Sequence, residues 1–112
     1  MKFVHKPLSK KEIASLKKKY GSYLKLTIDL DQENIVAGCT LHADGESFLL
    51  RSGASSVNIW GGGVNLNTKT IDTIAVLNLR PSLNNPGMEI LDSRKREKFI
   101  KIVKKIFAHL WG

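Results

Sequence analysis

The sequence predicts a single α+β domain: an antiparallel or mixed sheet flanked by an N-terminal and a C-terminal amphipathic helix. Three observations carry that prediction. Apolar residues recur at helical spacing near both ends of the chain, they alternate with a period of two in between, and charge follows the same division. Residues 1–25 hold 8 Lys against 1 Glu, residues 80–112 hold 8 Lys and Arg against 3 acids, and residues 26–79 hold 2 against 6. Basic helices bracketing an acidic sheet produce this pattern.

The first helix is announced by Ser9-Lys10-Lys11-Glu12. In such a capping box the serine hydroxyl accepts from the third helical amide, and the glutamate reaches back to the serine amide. Leu8 and Ile13 fit the hydrophobic staple, Ile13, Leu16 and Tyr20 form the apolar stripe, and Gly21 supplies the left-handed stop, so a helix over residues 10–20 is expected. From Tyr23 the period becomes two. Leu24, Leu26, Ile28 and Leu30 face one way and Tyr23, Lys25, Thr27 and Asp29 the other, and a β-like run over residues 35–41 completes a hairpin.

Asp44-Gly45 is a turn pair, and the pattern admits either a short strand or a helical turn over residues 46–51. Three glycines, Gly61 to Gly63, separate Val57-Asn58-Ile59-Trp60 from Val64-Asn65-Leu66-Asn67, which predicts two short strands around a Gly-rich turn or bulge. Residues 70–80 are apolar on both faces and read as an interior strand, with Ile74, Val76, Asn78 and Arg80 sharing one side. Prolines and an Asn pair make residues 81–87 a loop. Asp92 or Ser93 caps the last helix, whose buried stripe is Phe99, Ile100, Val103, Ile106, Phe107 and Leu110.

The 112 residues form one domain, 1–112, with 42 % apolar and 25 % charged content, far from the disordered regime. Cys39 is the only cysteine, which excludes an intramolecular disulfide and a Cys-rich zinc cluster within one chain and suits a reducing cytoplasm. The start Met1-Lys2-Phe3-Val4-His5-Lys6-Pro7 lacks the apolar stretch of a signal peptide, and no window approaches the roughly 18 to 20 apolar residues of a membrane span. A cytoplasmic protein without membrane attachment is expected.

Lys6-Pro7 before a capped helix, Leu41-His42-Ala43-Asp44, Trp60-Gly61 followed by Asn65, and Asn78-Leu79-Arg80-Pro81 leading into a C-terminal helix together cover nearly the whole chain. This layout resembles a small prokaryotic family known only as a domain of unknown function. The resemblance implies no activity.

Several residues carry chemistry worth locating. The triglycine run lacks the following helix, and the Lys and Ser or Thr, of a phosphate loop. His42, Asp44 and Glu46 cluster in sequence, but neither His5 nor His109 stands at a spacing that suggests shared ligation, so no metal and no cofactor is expected. Cys39 and His42 would point to opposite faces of a strand, which makes Cys39 a small buried hydrophobe rather than a nucleophile with His42 as base.

Trp60, with Asn58, Asn65 and Asn67 nearby, is either core or a flat platform for a ring. Asn78 and Arg80 end an apolar strand face in polar groups. Arg80 offers a bidentate fork to a ligand anion or to an internal carboxylate, Asp44, Asp72 or Asp92. The candidate ligand-binding residues are thus Arg80, Asn78, His42, Asp44, Trp60 and Asn65.

Along the last helix Lys95, Lys98, Lys101, Lys104 and Lys105 form a ribbon suited to phosphates. The leading functional expectation is a basic module for RNA or another polyanion. Arginine forks read phosphates and guanine edges best, and with 14 Lys but 4 Arg the chain points to charge rather than to base reading. A small hydrolase or nuclease using His42, Asp44 and Arg80, and an oligomerising accessory protein without a small ligand, are the alternatives.

Overall fold

A computed structural model describes residues 1–112. Five strands, β1 (Lys2–Val4), β2 (Tyr23–Asp29), β3 (Asn34–Ala37), β4 (Ile59–Asn65) and β5 (Thr70–Asp72), form one antiparallel sheet in the order β1-β3-β2-β4-β5. Three helices, α1 (Lys10–Tyr20), α2 (His42–Arg51) and α3 (Ser93–Ile106), complete an α+β domain. No helix is long and apolar enough to cross a membrane.

The capping box is present as read. Glu12 N donates to Ser9 Oγ and Ser9 N to Glu12 Oε1, each at 3.1 Å. These bonds hold the Glu12 carboxyl below its ordinary range. Gly21 ends α1 at φ 91°, a left-handed value that favours glycine. In the β2–β3 hairpin Asp29 Oδ1 accepts from Asp31 N and Gln32 N at 3.0 and 3.3 Å, which closes the turn before Asn34. Asp92 caps α3 by accepting from Arg94 N and Lys95 N at 2.9 and 3.0 Å.

Three expectations are corrected and one open alternative is resolved. The run over residues 35–41 stops at Ala37, because Gly38 turns left-handed at φ 79° under the Tyr20 ring. The segment open to strand or helix is the body of α2, which begins at His42; its Gly45 faces Thr27, whose hydroxyl oxygen would lie 2.6 Å from an added Cβ.

The triglycine run is no turn but the middle of β4, paired residue by residue with β2 from Tyr23↔Asn65 to Asp29↔Ile59. The missing side chains make room for rings. His42 lies against Gly61, Phe99 against Gly62 and Tyr23 against Gly63. Finally, residues 70–80 are not an interior strand. β5 ends at Asp72, a 3-10 turn follows over Val76–Asn78, and Ile74, Val76 and Leu79 are 49 %, 73 % and 49 % exposed. β1, too short to show a period, pairs with β3 at the sheet edge and brings Phe3 against Phe48 of α2.

Strand alternation divides the molecule into two unequal layers. Leu24, Leu26, Ile28, Ile35, Trp60 and Val64 join the α1 and α3 stripes in the main core, while Val36 and Ile59 join Leu49 of α2 on the other face. Both basic helices therefore lie on one side of the sheet. Together they carry 12 Lys and Arg against 2 Glu, more than the whole net charge of +8. The rest of the chain is net negative.

Candidate functional site

Helical spacing and the buried stripe of α3 decide which of its cations are free. Phe99, Ile102, Val103 and Ile106 point into the core, so Arg94, Lys98, Lys101 and Lys105, three or four residues apart, share one exposed face. A hollow of about 630 Å³ lies along them, with Glu33 and Glu97 at its sides. A second hollow of about 220 Å³, sharing Arg94 and Lys98, continues it towards Asn58, Trp60 and Lys95. From residue 94 to residue 105 the trough runs about 16 Å at 1.5 Å per residue. Lys105 Nζ makes one loose exposed pair with Glu33 at 3.6 Å. Lys104, exposed, lies outside the lining of both hollows.

Trp60 is 1 % exposed and its indole N–H donates to Val57 O at 3.0 Å. The Lys95 ammonium stands 4.8 Å from one of its ring centroids and the Arg80 guanidinium 5.2 Å, so the protein's own cations already sit over the ring. Arg80 itself is committed. Its guanidinium donates to Glu46 Oε2 at 2.9 Å and to Ser56 O at 2.7 Å, with the two side chains 14 % and 27 % exposed. The internal partner is Glu46 rather than Asp44, Asp72 or Asp92. Replacing Arg80 with alanine is expected to lower stability by about 1 to 3 kcal/mol, less than for a fully buried pair because water reaches both partners. Arg80→Lys should recover little of it, since one ammonium cannot serve Glu46, Ser56 and the ring together. Urea unfolding of both variants measures this, and two curves overlaying the parent would contradict it.

Asn78, fully buried, works in place of a strand residue. β5 pairs with β4 from Gly63 to Asn65, and beyond it the Asn78 carboxamide takes over: its Oδ1 accepts from Gly61 N at 2.8 Å and its Nδ2 donates to Gly61 O at 2.9 Å. Nδ2 also reaches Thr73 O and Met88 O at 3.2 and 3.0 Å. Asn85 is its counterpart, donating to Asn78 O, Gly87 O and Glu89 O and accepting from Leu91 N. These two side chains add to the backbone bonds of residues 73–91, where Ala75 N donates to Met88 O, Ile90 N to Thr73 O and Arg80 N to Asn85 O; a Thr73–Glu89 hydrogen bond closes one side. Asn65 is likewise engaged, its Oδ1 accepting from Asn67 N and Thr68 N at 3.0 Å to form the β4–β5 turn.

His42 stands on the opposite side of the sheet from the basic trough. Its Nε2 lies 2.8 Å from Gly62 O. A carbonyl only accepts, so Nε2 carries the proton and the neutral ring presents a lone pair at Nδ1. Burial holds the imidazole below its ordinary pKa, the nearby Lys25 ammonium adds to that, and the Gly62 carbonyl and Asp72 oppose it. Tyr23 donates to Asp72 Oδ2 at 2.7 Å, and burial followed by that carboxylate pushes its phenol up.

Asp44, exposed on the first turn of α2, borders a different cavity, of about 430 Å³, shared with Cys39 and Arg51. Cys39 is buried, its Sγ 3.8 Å from Thr27 Oγ1 and 3.9 Å from Lys25 O. His42, Asp44 and Arg80 thus lie apart, the first two on separate cavities and the third paired with Glu46. No group of three His, Cys, Asp or Glu side chains is placed to hold a metal ion. Lys25 and Tyr23 are not among the sequence-predicted site residues; the one signal for them is that both polar residues share the side of β2 opposite its leucines.

No curated protein and no solved structure matches the chain. Residues 2–106, which include the first strand, all three helices and both asparagine hubs, match the family described as "Protein of unknown function (DUF5674)". The chain belongs to that family.

Proposed function

We propose that this protein is a polyanion-binding module that lays an RNA strand along α3 through its phosphates. The observation that supports the reading is the placement of both basic helices on one face of the sheet, with Arg94, Lys98, Lys101 and Lys105 bordering a continuous trough. The four cations that border the trough can each take one phosphate of a strand laid along it. Lysine charges at this spacing bind by releasing counterions and need no base contact. The buried Trp60, held under Lys95 and Arg80, offers no stacking surface, so binding is expected to be indifferent to sequence.

Titration of a labelled single-stranded RNA at two salt concentrations tests the reading. With four phosphates contacted, a log–log slope of about −0.7 per phosphate gives a loss of roughly 50-fold between 50 and 200 mM salt. The variant with Lys98→Glu, Lys101→Glu and Lys105→Glu should lose binding while keeping the circular dichroism of the parent, because all three side chains are exposed. Absence of binding at low salt, or binding that ignores both salt and the three substitutions, would overturn the proposal.

A further inference from the structure

The face opposite the basic trough has its own cavity, of about 390 Å³, between the start of α2 and the turn at residues 76–78. Lys25, Leu41, His42, Ala43, Val76 and Leu77 line it. The volume is within the usual range for a small-molecule site, and the composition has the usual form, an apolar wall with a few polar groups.

The apolar wall is unusual in its exposure. Val76 is 73 % and Leu41 57 % exposed although both border a concave surface, so a small apolar body seated there would remove them from water. The two polar groups differ in kind. Lys25 Nζ donates to Thr40 O at 2.7 Å, which holds the ammonium in place and leaves two of its protons for another acceptor. His42 is fixed by its Nε2–H bond to Gly62 O, and its ring lies against bare Gly61, where an added Cβ would come within 3.0 Å of Cδ2. No side chain or backbone group of the protein bonds its Nδ1, and no unpartnered side-chain nitrogen is sealed in the interior, so that lone pair is open to a donor.

We infer that this cleft binds a small apolar 2-hydroxy carboxylate, with the carboxylate on the Lys25 ammonium, the hydroxyl donating to His42 Nδ1 and the alkyl body against Leu41, Val76 and Leu77. A cation and a neutral acceptor lining one cleft call for an anion and a donor in one ligand, and a hydroxy acid supplies both on adjacent carbons. An α-amino acid is disfavoured, because its ammonium would be brought against Lys25. The inference is independent of RNA binding, since the two surfaces lie on opposite sides of the sheet.

Nuclear magnetic resonance titration with 2-hydroxyisocaproate and with isocaproate, which lacks the hydroxyl, tests it. The hydroxy acid should bind in the sub-millimolar range, move the His42 ring signals and the amides of Leu41, Ala43 and Val76, and bind about tenfold more tightly than isocaproate. Val76→Glu places a like charge at the lip of the cleft on an exposed side chain, so it should keep the fold and weaken binding at least tenfold; Lys25→Met should do the same. Shifts confined to residues 94–105, equal affinity for the two acids, unchanged affinity in Val76→Glu, or no response at 10 mM would each overturn the assignment.

Discussion

Replacing Gly62 with alanine is expected to destabilise the protein by about 3 kcal/mol or more, beyond the usual range for one added methyl in a packed core. The added Cβ would stand 2.3 Å from the backbone oxygen of Asp72 and 2.7 Å from Phe99 Cζ. Neither neighbour yields easily. Asp72 is paired to Gly63 at the end of β5, and Phe99 is fully buried at the centre of the main core. A loss of this size corresponds to a fall in melting temperature of about 10 °C or more for a domain of this length. Gly87→Ala provides the control, because nothing lies within 4 Å of the new Cβ and the backbone is not left-handed there; its melt should match the parent. A Gly62→Ala melt within a degree or two of the parent would show that the sheet can shift under Phe99 and would remove the packing account of the triglycine strand.

Asn78→Ala should be comparably damaging for a different reason. It strands Gly61 N and Gly61 O, both now satisfied by one carboxamide, and takes one of two donors from Thr73 O and from Met88 O, which keep Ile90 N and Ala75 N. Each buried polar group left without a partner costs about 1 to 3 kcal/mol, and entering water recovers part of that, so with two groups stranded a net loss of about 3 kcal/mol is expected. Asn78→Asp should not rescue it, because a carboxylate would present an oxygen to three carbonyls where the amide presented its NH2. Chemical denaturation gives the magnitude. Hydrogen exchange gives the location: the Gly61 amide should lose protection before the β2–β4 amides around Leu24 and Val64 do. Equal protection of Gly61 in parent and variant would mean that Asn78 does not extend the ladder, whatever the change in stability.

Both predictions concern residues whose role the sequence does not display, and the contrast with the helices is instructive. α1 and α3 are readable because their signals act within a turn or two: Ser9 with Glu12, Asp92 with the two amides after it, and apolar residues three and four apart. β2 is readable because one of its faces is uniformly leucine and isoleucine. The exposure of Lys98, Lys101 and Lys105 agrees with helical spacing, but the buried stripe holds Ile102 where the sequence pattern places Ile100, and Arg94 borders the trough where Lys104 does not.

Residues 61–63 and 70–80 depart from the expectation because their local pattern says nothing about what packs against them. A glycine run is a turn when the chain reverses and a strand when rings from elsewhere occupy the vacant side, and here Phe99, Tyr23 and His42 arrive from 37, 40 and 19 positions away. Likewise Val76 and Ile74 look like interior strand residues, yet a buried asparagine that pairs with β4 through its side chain ends the strand and turns the apolar residues outward. Arg80 found Glu46, 34 residues earlier, a partner no spacing rule selects.

Taken by itself, the sequence determined the fold class, the bounds of α1, the pairing of β2 with β3 and the division of charge, because each depends on neighbours within a few residues. The tertiary structure alone decided that both basic helices share one face, that the triglycine segment is a central strand, and that His42 and Lys25 meet in an apolar cleft while Arg80 is tied down. These are contacts between residues far apart in the chain, and their selection depends on which surfaces can exclude water together and satisfy every buried polar group at once.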